Sequence, residues 1–456
     1  MGEAAIQMST LISSTSRTVV VGLGTTGLAV ARHLDRLGRD FCVVDTREAP
    51  PCVAEMRAEM PAVPLLLGAI PQDVLNTAGE LIVSPGIAPA ESWLQEAVAA
   101  GATLRGDIDL FMEAAQAPVV GITGSNAKST VTELVGAMAR RAGRCVGVGG
   151  NLGTAALDLL DDDRDLYVLE LSSFQLERSG NLGLSVATVL NVTPDHLDRH
   201  GDMPRYHQAK HRIFHGCDTV VFNRDDPLTI PPQAEGRRSI SWRLGEPDLQ
   251  GYGLRVDGDE RYIARGLELL MPVRAIALAG EHNLGNALAA LALGEAAGLP
   301  RQAMLETLED FAGLPHRCET VLERNGVRWI NDSKATNTGA ALAAIEGLGA
   351  SSRVVLIAGG RDKNSDFSLL RDAVRRHCDE VLLIGEAAAT IAEALEGCCD
   401  LSDVGTLEEA VASAAARVQP GQVVLLSPAC ASFDQFRGFE HRGDTFREAV
   451  QRGVSA

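Results

Sequence analysis

The sequence predicts an α/β protein of three domains, each built around a parallel sheet. Three times along the chain, an apolar strand-like segment enters a glycine-containing turn and is followed by a segment with helical periodicity, which is typical of doubly wound domains. These repeats of the pattern begin near residues 17, 117 and 313. The length of 456 residues also suits about three domains of ~150 residues. We therefore expect domains at residues 1–106, 107–312 and 313–456.

The composition limits the classes of protein that the chain can belong to. Apolar residues make up 46% of the chain and charged residues 22%, as in ordinary globular proteins. The 41 Lys and Arg residues against 60 Asp and Glu residues give a net charge of −19, which argues against sequence-independent binding to nucleic acid. Anionic ligands would have to bind at loops and helix N-termini rather than through the overall field.

Cysteine usage and hydropathy indicate the compartment. The nine cysteines are scattered and form no C-x-x-C pair, which predicts free thiols in a reducing compartment. No stretch approaches 18 consecutive apolar residues, so we expect no membrane span. Residues 1–16 lack a basic segment followed by an apolar core, so no secretory signal is expected. A cytoplasmic protein is predicted.

The first glycine-rich turn, G-L-G-T-T-G at residues 22–27, lies between a strand at 17–21 and a helix at 29–37. Such a turn lets backbone N–H groups approach a pyrophosphate at a helix N-terminus. Asp45 ends the next strand, where a carboxylate can accept a hydrogen bond from a ribose or a base. The pattern favours a nucleotide-type ligand over a tight turn without one. It leaves NAD, FAD and a nucleoside diphosphate open.

The second glycine-containing loop, G-I-T-G-S-N-A-K-S-T at residues 121–130, has the parts of a phosphate-binding loop. Small residues expose backbone N–H groups, Lys128 can reach the terminal phosphates, and Ser129 or Thr130 can present a hydroxyl to Mg²⁺. The loop departs from a strict Walker A motif at Ile122 and Ala127. ATP or GTP is a better interpretation than an unoccupied turn with an exposed lysine.

Further polar residues follow later strands. Glu170 interrupts an apolar strand, and a carboxylate there is costly to bury unless it is paired or binds metal, so a Mg²⁺ ligand is the natural role. The alternative is a solvent-facing glutamate at the strand end. Residues 224–270 are interpreted as more irregular. In the third domain, polar clusters follow predicted strands at 327–332, 353–360, 380–385 and 422–428, and together they would surround one cleft with His316, Arg317, Asp332, Lys334, Lys363 and Ser432.

These motifs, taken together and in order, resemble those of the Mur ligases. The strings that carry the resemblance are G-I-T-G-S-N-A-K-S-T, L-E-L-S-S-F-Q-L-E, N-V-T-P-D-H-L-D-R-H, A-K-H-R-I-F, G-E-H-N-L-G-N-A-L-A-A, G-L-P-H-R, N-D-S-K-A-T-N and L-L-S-P-A-C-A-S-F-D-Q-F. The resemblance implies a Rossmann-like UDP-binding domain, a central P-loop ATPase-like domain and a C-terminal Rossmann-like domain for the amino acid. It is strongest to members that add D-glutamate to UDP-N-acetylmuramoyl-L-alanine through an acyl phosphate, in peptidoglycan precursor synthesis.

The resemblance also implies roles for individual residues, with ATP as co-substrate, two Mg²⁺ sites and a monomeric enzyme. The UDP end would be held by Leu23, Thr25, Thr26, Asp45, Thr46, Arg47 and Ser84, and the muramoyl end by Asn151 and His196. ATP would be bound by Gly124, Ser125, Asn126, Lys128, Ser129, Thr130, Asn283, Asn286, Arg317 and Asp332. The metal ligands would be Ser129, Glu170, His196 and a carbamylated Lys210. The incoming amino acid would meet His316, Lys334, Thr336, Lys363, Ser432, Phe433 and Phe439. The catalytic groups would be Lys128, Glu170, His196 and Lys210.

Three departures from the family pattern accompany the resemblance. Ala127 stands where glycine is usual, and its methyl group is expected to fit only with a negative φ. Arg361 and Asp362 replace a common Asp-Gly pair before Lys363, and Phe433 stands where many relatives carry leucine. None of these removes a catalytic group.

Three alternatives remain open from the sequence. A nicotinamide-dependent dehydrogenase would use the first glycine-rich turn but not the loop at 121–130. A non-catalytic ATP-binding regulator would not need Glu170, Lys210, His316 and Lys363 together. A ligase of the same family could add L-glutamate, L-alanine or meso-diaminopimelate instead of D-glutamate.

Overall fold

The computed structural model describes residues 17–278, 280–363 and 365–454. Three sheets of five, nine and six strands follow one another along the chain, with helices between the strands. The predicted α/β fold class with three domains is thereby confirmed. The expectation about a secretory signal concerns residues 1–16, which lie outside the described residues. Among the described residues, no helix combines the length and the apolar character needed to cross a bilayer.

The first sheet is wholly parallel, with the order β3-β2-β1-β4-β5. Its strands are β1 (Arg17–Val21), β2 (Phe41–Asp45), β3 (Leu65–Leu67), β4 (Ala78–Val83) and β5 (Thr103–Arg105). Its helices are α1 (Thr25–Arg36), α2 (Val53–Glu59), α3 (Gln72–Asn76), α4 (Ser92–Ala99) and α5 (Asp107–Ala114). The strand order reverses between β1 and β4, and such a switch point opens a crevice at the carboxyl ends of the strands.

The central sheet has the order β14-β13-β12-β11-β10-β9-β6-β8-β7. Its strands are β6 (Val119–Thr123), β7 (Val146–Gly150), β8 (Leu166–Glu170), β9 (Val186–Val189), β10 (Thr219–Asn223), β11 (Arg238–Trp242), β12 (Tyr252–Asp257), β13 (Glu260–Arg265) and β14 (Glu268–Pro272). Its helices are α6 (Lys128–Arg141), α7 (Ser173–Arg178), α8 (Leu197–His200), α9 (Met203–His211), α10 (Glu281–Ala296) and α11 (Arg301–Asp310). Every residue of β6 is buried, so the loop that follows it leaves from the middle of the domain.

The interpretation of residues 224–270 as irregular is wrong, because four strands lie there. The pairs β12–β13 and β13–β14 are antiparallel, and they extend the parallel part of the sheet at one edge. An antiparallel edge can leave one face in water, so its strands need not be continuously apolar. Leu254 is buried, whereas Val256, two residues later on the same face of β12, is 70% exposed. The apolar residues of this edge therefore do not follow a clear strand pattern.

The third sheet has the order β15-β16-β20-β17-β18-β19, with β15 antiparallel at the edge. Its strands are β15 (Glu319–Arg324), β16 (Val327–Asn331), β17 (Arg353–Gly359), β18 (Cys378–Ile384), β19 (Asp400–Gly405) and β20 (Gln422–Leu426). Its helices are α12 (Thr338–Gly349), α13 (Arg371–His377), α14 (Ala388–Leu395), α15 (Leu407–Arg417) and α16 (Phe439–Val454). Separate apolar clusters cover its two faces, as expected for a doubly wound sheet.

Candidate active site

A first cleft of about 900 Å³ opens at the carboxyl ends of β1, β2 and β4 and reaches the central domain. Leu23 does not line this cleft: its side chain is fully buried, and its backbone N–H donates to Oδ2 of Asp45 at 2.7 Å. The lining includes the following residues that the sequence singled out: Thr25, Thr26, Asp45, Thr46, Arg47, Ser84 and Asn151.

Asp45 is an ionised carboxylate at the base of this cleft. Arg47 donates to it from its backbone N–H at 2.9 Å and from its side chain at 2.9 and 2.7 Å. Burial alone would raise the pKa of Asp45, but the hydrogen bonds from Arg47 and Leu23 outweigh it and lower the pKa to about 2. The carboxylate therefore fixes the glycine-rich turn and the residues after β2 relative to each other.

A second cleft of about 500 Å³ lies between the central and third domains. Its lining does not include the following residues that the sequence analysis predicted for the site: Gly124, Lys210, His316, Ser432, Phe433 and Phe439. The residues from the sequence prediction that do line it are Ser125, Asn126, Lys128, Ser129, Thr130, Asn151, Glu170, His196, Asn283, Asn286, Arg317, Asp332, Lys334, Thr336 and Lys363.

The loop between β6 and α6 is held in a left-handed turn. Ala127, the residue before α6, has φ +66° and ψ −3°. The expected negative φ is therefore wrong: the chain must turn sharply from the loop into the helix, and the alanine adopts the conformation that glycine usually supplies. The neighbouring Asn126 is held by the side chain of Asn191, which accepts a hydrogen bond from the backbone N–H of Asn126 at 2.8 Å and donates one to the backbone carbonyl of Asn126 at 3.2 Å.

The buried Lys210 and the half-buried Lys128 converge on the same carbonyl of this loop. Nζ of Lys128 donates to the carbonyls of Gly124 and Ser125 at 2.9 and 3.0 Å, and Nζ of Lys210 donates to that of Gly124 at 2.8 Å. Burial lowers the pKa of Lys128, with Glu170 opposing the shift. Burial and the charge of Lys128 lower the pKa of Lys210 well below its ordinary range. Lys210 thus lies behind the loop rather than in the open cleft.

Glu170 is the centre of a hydrogen-bond network at the end of β8. Ser129 donates to its Oε2 at 2.6 Å and Asn151 to its Oε1 at 2.7 Å. Arg317, from the third domain, donates to Oγ of Ser129 at 2.7 Å. Burial alone would raise the pKa of Glu170, but Lys128 and these hydrogen bonds lower it. The network combines an ionised carboxylate, a hydroxyl and two cations in one place.

Ser129 and Glu170 would suit Mg²⁺ bound together with a substrate phosphate. Mg²⁺ binds through one or two protein oxygens together with substrate phosphates and water, and Ser129 and Glu170 supply such oxygens. Within the described part of the chain, no three His, Cys, Asp or Glu side chains converge to hold a metal. A site of three such side chains is therefore not present among those residues, and phosphate oxygens and water would complete the ligand set around Ser129 and Glu170.

His196 lines the second cleft immediately before α8, with φ +53°, and its ring packs edge-on against that of Phe174 at 4.8 Å between centroids. Its Nε2 lies 3.6 Å from Oδ2 of Asp195. Burial is the largest influence on its pKa, and with nearby lysines it outweighs Asp195 and lowers the pKa to about 4. The imidazole is therefore neutral at physiological pH and can accept as well as donate a hydrogen bond.

A contact between domains that the sequence analysis did not assign joins the two walls of the second cleft. Nδ2 of Asn337 donates to Oδ1 of Asn126 and to Oδ2 of Asp195, both at 3.1 Å. A Cβ at Gly339 would lie 2.9 Å from Oγ1 of Thr193, so the first turn of α12 approaches the central domain closely. Asn337 and Asp195 stand inside the motifs N-D-S-K-A-T-N and N-V-T-P-D-H-L-D-R-H, which was the available signal.

The residues expected around the amino acid are only partly brought together. Lys334 lines the second cleft, and its Nζ lies 3.6 Å from the centroid of the Phe439 ring. Burial, reinforced by Arg317, lowers the pKa of Lys334 to about 8. His316 is bonded through Nδ1 to Asn331 at 3.0 Å, beneath the surface. Ser432 is buried, whereas Phe433 is 63% exposed.

The two clefts meet at one residue. Asn151 lines both of them and contacts Glu170 at 2.7 Å. A ligand lying in the first cleft can therefore extend past Asn151 to the loop before α6. The nucleotide-type site of the first cleft and the phosphate loop of the second cleft are therefore adjacent.

Comparison with known proteins matches all three domains to one family. Residues 16–106 match the Mur ligase MurD-like N-terminal domain, residues 122–294 the Mur ligase middle domain, and residues 316–430 the Mur ligase glutamate ligase domain. The UDP-N-acetylmuramoylalanine–D-glutamate ligase of Pseudomonas putida is 54% identical over 96% of this chain and 98% of its own length. The protein of the same name from Pseudomonas aeruginosa is 53% identical over 97% and 99%.

Solved structures show the same fold at low sequence identity. A pseudomurein peptide ligase type C from Methanothermus fervidus superposes with a TM-score of 0.61 at 17% identity, over 96% of this chain and 99% of that one. A MurF ligase from Thermotoga maritima in complex with ADP superposes with a TM-score of 0.59 at 17% identity, over 96% and 98%. With matches to all three family domains and relatives more than half identical over nearly the full length, the chain belongs to the Mur ligase family.

Proposed function

We propose that the chain is an ATP-dependent ligase that joins D-glutamate to UDP-N-acetylmuramoyl-L-alanine in peptidoglycan synthesis. The observation that carries the proposal is the meeting of the two clefts at Asn151, beside Glu170 and the loop before α6. This arrangement suits a substrate with UDP at one end and a carboxylate to be phosphorylated at the other. The choice of D-glutamate rests on the names of the Pseudomonas relatives.

The UDP end is assigned to the first cleft. The glycine-rich turn before α1 offers backbone N–H groups to the pyrophosphate, and the segment around Asp45 and Arg47 offers polar contacts to the nucleoside. Thr25, Thr26, Thr46 and Ser84 line the same cleft. Because Leu23 is buried, it would contribute through its backbone and its hydrogen bond to Asp45.

The ATP phosphates are assigned to the loop before α6. Residues 124–130 wrap the start of the helix, and Lys128 would leave the carbonyls it now contacts to reach a terminal phosphate. Arg317 and Asp332 approach from the third domain, and Asn283 and Asn286 from α10. Mg²⁺ held at Ser129 and Glu170 would supply charge stabilisation for the transferred phosphoryl group.

The reaction proceeds in two transfers. A carboxylate oxygen of the substrate attacks the terminal phosphorus of ATP, which forms an acyl phosphate and releases ADP. The amine of the incoming amino acid then attacks the acyl carbon, loses a proton and expels inorganic phosphate. Lys334 and Lys363, both in the cleft, would bind the carboxylates of that amino acid, with Thr336 beside them.

The acyl phosphate must be kept from water, and the contacts between domains serve this purpose. Asn337 joins α12 to Asn126 and Asp195, and Arg317 joins the third domain to Ser129. Both contacts lie at the rim of the phosphate loop. With the third domain in this position, the reacting atoms are enclosed by protein on two sides.

Lys210 is assigned the carbamate that the family resemblance implies. The low pKa of Lys210, caused by burial and by Lys128, favours the neutral amine that reacts with CO₂. The carbamate would be an anion close to Lys128, so a neutral amine would be replaced by a group that the Lys128 cation attracts. His196 and Glu170 are assigned as its neighbours at the second Mg²⁺ site. His316, Ser432, Phe433 and Phe439 would support the amino-acid site from the third domain.

The test is a panel of amino acids offered to the enzyme with ATP, Mg²⁺ and UDP-N-acetylmuramoyl-L-alanine. Phosphate release is expected with D-glutamate and at least tenfold more slowly with L-glutamate, L-alanine or meso-diaminopimelate. Release that does not require the UDP substrate would contradict the proposal, and so would a preference for another amino acid. Titration with NADH is the control for the first cleft and is expected to show weaker binding than UDP.

A further inference from the structure

Arg178 is a buried arginine that crosses from the central domain to the first domain. It ends α7 and is 6% exposed. Its guanidinium has five N–H groups, and each of them has a backbone carbonyl as acceptor. Nε donates to Phe174 at 3.2 Å within its own helix, whereas the two terminal nitrogens donate to Val83, Ser84, Pro85 and Ile87 at 2.9, 2.9, 3.2 and 2.5 Å.

The four carbonyls contacted across the boundary all belong to one short segment, residues 83–87, which we call the 83–87 loop. Of the residues that follow β4, Ser84, Pro85, Gly86 and Ile87 all line the first cleft. Oγ of Ser84 also donates to the carbonyl of Gly22 at 3.1 Å, so the 83–87 loop contacts the glycine-rich turn directly. The guanidinium therefore lies directly behind one wall of the cleft.

Arg178 makes more bonds to the 83–87 loop than any other described side chain of the central domain: Arg199, which itself lines the cleft, donates to the carbonyls of Gly86 and Ile87 at 3.4 and 3.0 Å. Arg36 also joins the first two domains through a single bond, from Nη2 to the carbonyl of Leu157 at 3.3 Å, but neither of these residues lines the cleft. Burial, with a smaller contribution from Arg199, lowers the pKa of Arg178 to about 10, so the guanidinium stays charged at neutral pH. A charged, buried group with every donor used holds its acceptors in one arrangement.

We propose that Arg178 is a positioning residue for the UDP substrate: by holding four carbonyls of the 83–87 loop from the central domain, it fixes the wall of the first cleft against which UDP binds. This inference rests on the proposed function, which assigns UDP to that cleft. Arg178 does not line the cleft and acts on the ligand only through the loop. Lysine cannot replace it, because an ammonium has three donors on one atom and cannot span four carbonyls.

The experiment measures UDP binding by calorimetry in the full-length protein with Arg178→Met and Arg178→Lys, and with Arg36→Met as the matched control. We expect the Kd for UDP to rise about tenfold or more in both Arg178 variants, since a loop that loses buried hydrogen bonds samples other conformations. The Kd for ATP is expected to stay within about twofold in each. Arg36→Met is expected to leave both constants unchanged.

A second measurement guards against a general loss of structure. In Arg178→Ala, guanidinium chloride at tens of millimolar is expected to restore part of the UDP affinity by occupying the vacated position, while sodium chloride at equal ionic strength does not. Unchanged UDP affinity in Arg178→Met, or equal loss of UDP and ATP affinity, would overturn the inference. A wild-type protein that does not bind UDP would instead overturn the proposed function, so the two failures are distinguishable.

Discussion

Replacing Ala127 with glycine is expected to stabilise the protein, although glycine normally destabilises the middle of a helix or strand. Ala127 has φ +66° and ψ −3° immediately before α6. An L-amino acid other than glycine is strained in this region because its Cβ approaches the following carbonyl oxygen, at a cost of roughly 1–2 kcal/mol. Glycine has no Cβ and removes this strain.

Two smaller effects oppose the gain. Glycine gives the unfolded chain more conformational entropy, which lowers the free energy of unfolding by about 0.4–1 kcal/mol. The methyl group of Ala127 is partly buried against the central core, and its loss costs about 0.4 kcal/mol at half burial. Taking the middle of each range, the free energy of unfolding is expected to increase by about 0.4 kcal/mol.

Ala142 provides a matched control at the other end of the same helix. It is also partly buried against the central core, but its φ is −74°. Ala142→Gly relieves no strain, so only the two opposing effects remain, and the free energy of unfolding is expected to fall by about 1.1 kcal/mol. Urea unfolding of the two variants should therefore differ by about 1.5 kcal/mol, with opposite signs relative to the wild type. Equal destabilisation in both variants would refute the reasoning.

The remaining predictions concern the cleft. Lys128→Ala is expected to lower kcat by about 10²–10³-fold, because the loop then offers no side-chain cation of its own to the terminal phosphate; near-normal turnover would show that the loop is not catalytic. Glu170→Ala should raise the Mg²⁺ concentration for half-maximal activity about tenfold or more, and an unchanged Mg²⁺ titration would contradict a metal role. Lys210→Ala should lose activity and regain part of it with added acetate, whereas full activity without acetate would exclude the carbamate. Burial lowers the pKa of Lys334 to about 8, so its side chain should lose a proton as the pH rises through 8. The KM for D-glutamate should then rise while the KM for ATP stays constant. Lys334→Arg should abolish that rise, and a rise that persists in this variant would exclude Lys334 as the titrating group.

Short-range patterns in the sequence were enough for the fold class and for the positions of the main loops. The strand, turn and helix around residues 22–27 and 121–130 are specified locally, because glycine placement and apolar spacing act over a few residues. The same local reasoning failed at the β12–β14 edge, where one face is in water and the apolar pattern is weak. It also failed at Ala127, because a left-handed conformation is strained for alanine and is normally expected at glycine.

The sequence by itself determined that this chain forms three α/β domains and carries the motifs of one ligase family, because both are recorded in the order and spacing of neighbouring residues. Tertiary structure alone decided how those motifs meet. Asn337 contacts Asn126 across 211 positions of the chain, and Arg178 contacts Val83 across 95. Such contacts depend on how whole sheets and helices pack, which no local pattern encodes. They place Asn151 where both clefts meet and put Arg178 behind the wall of the first cleft.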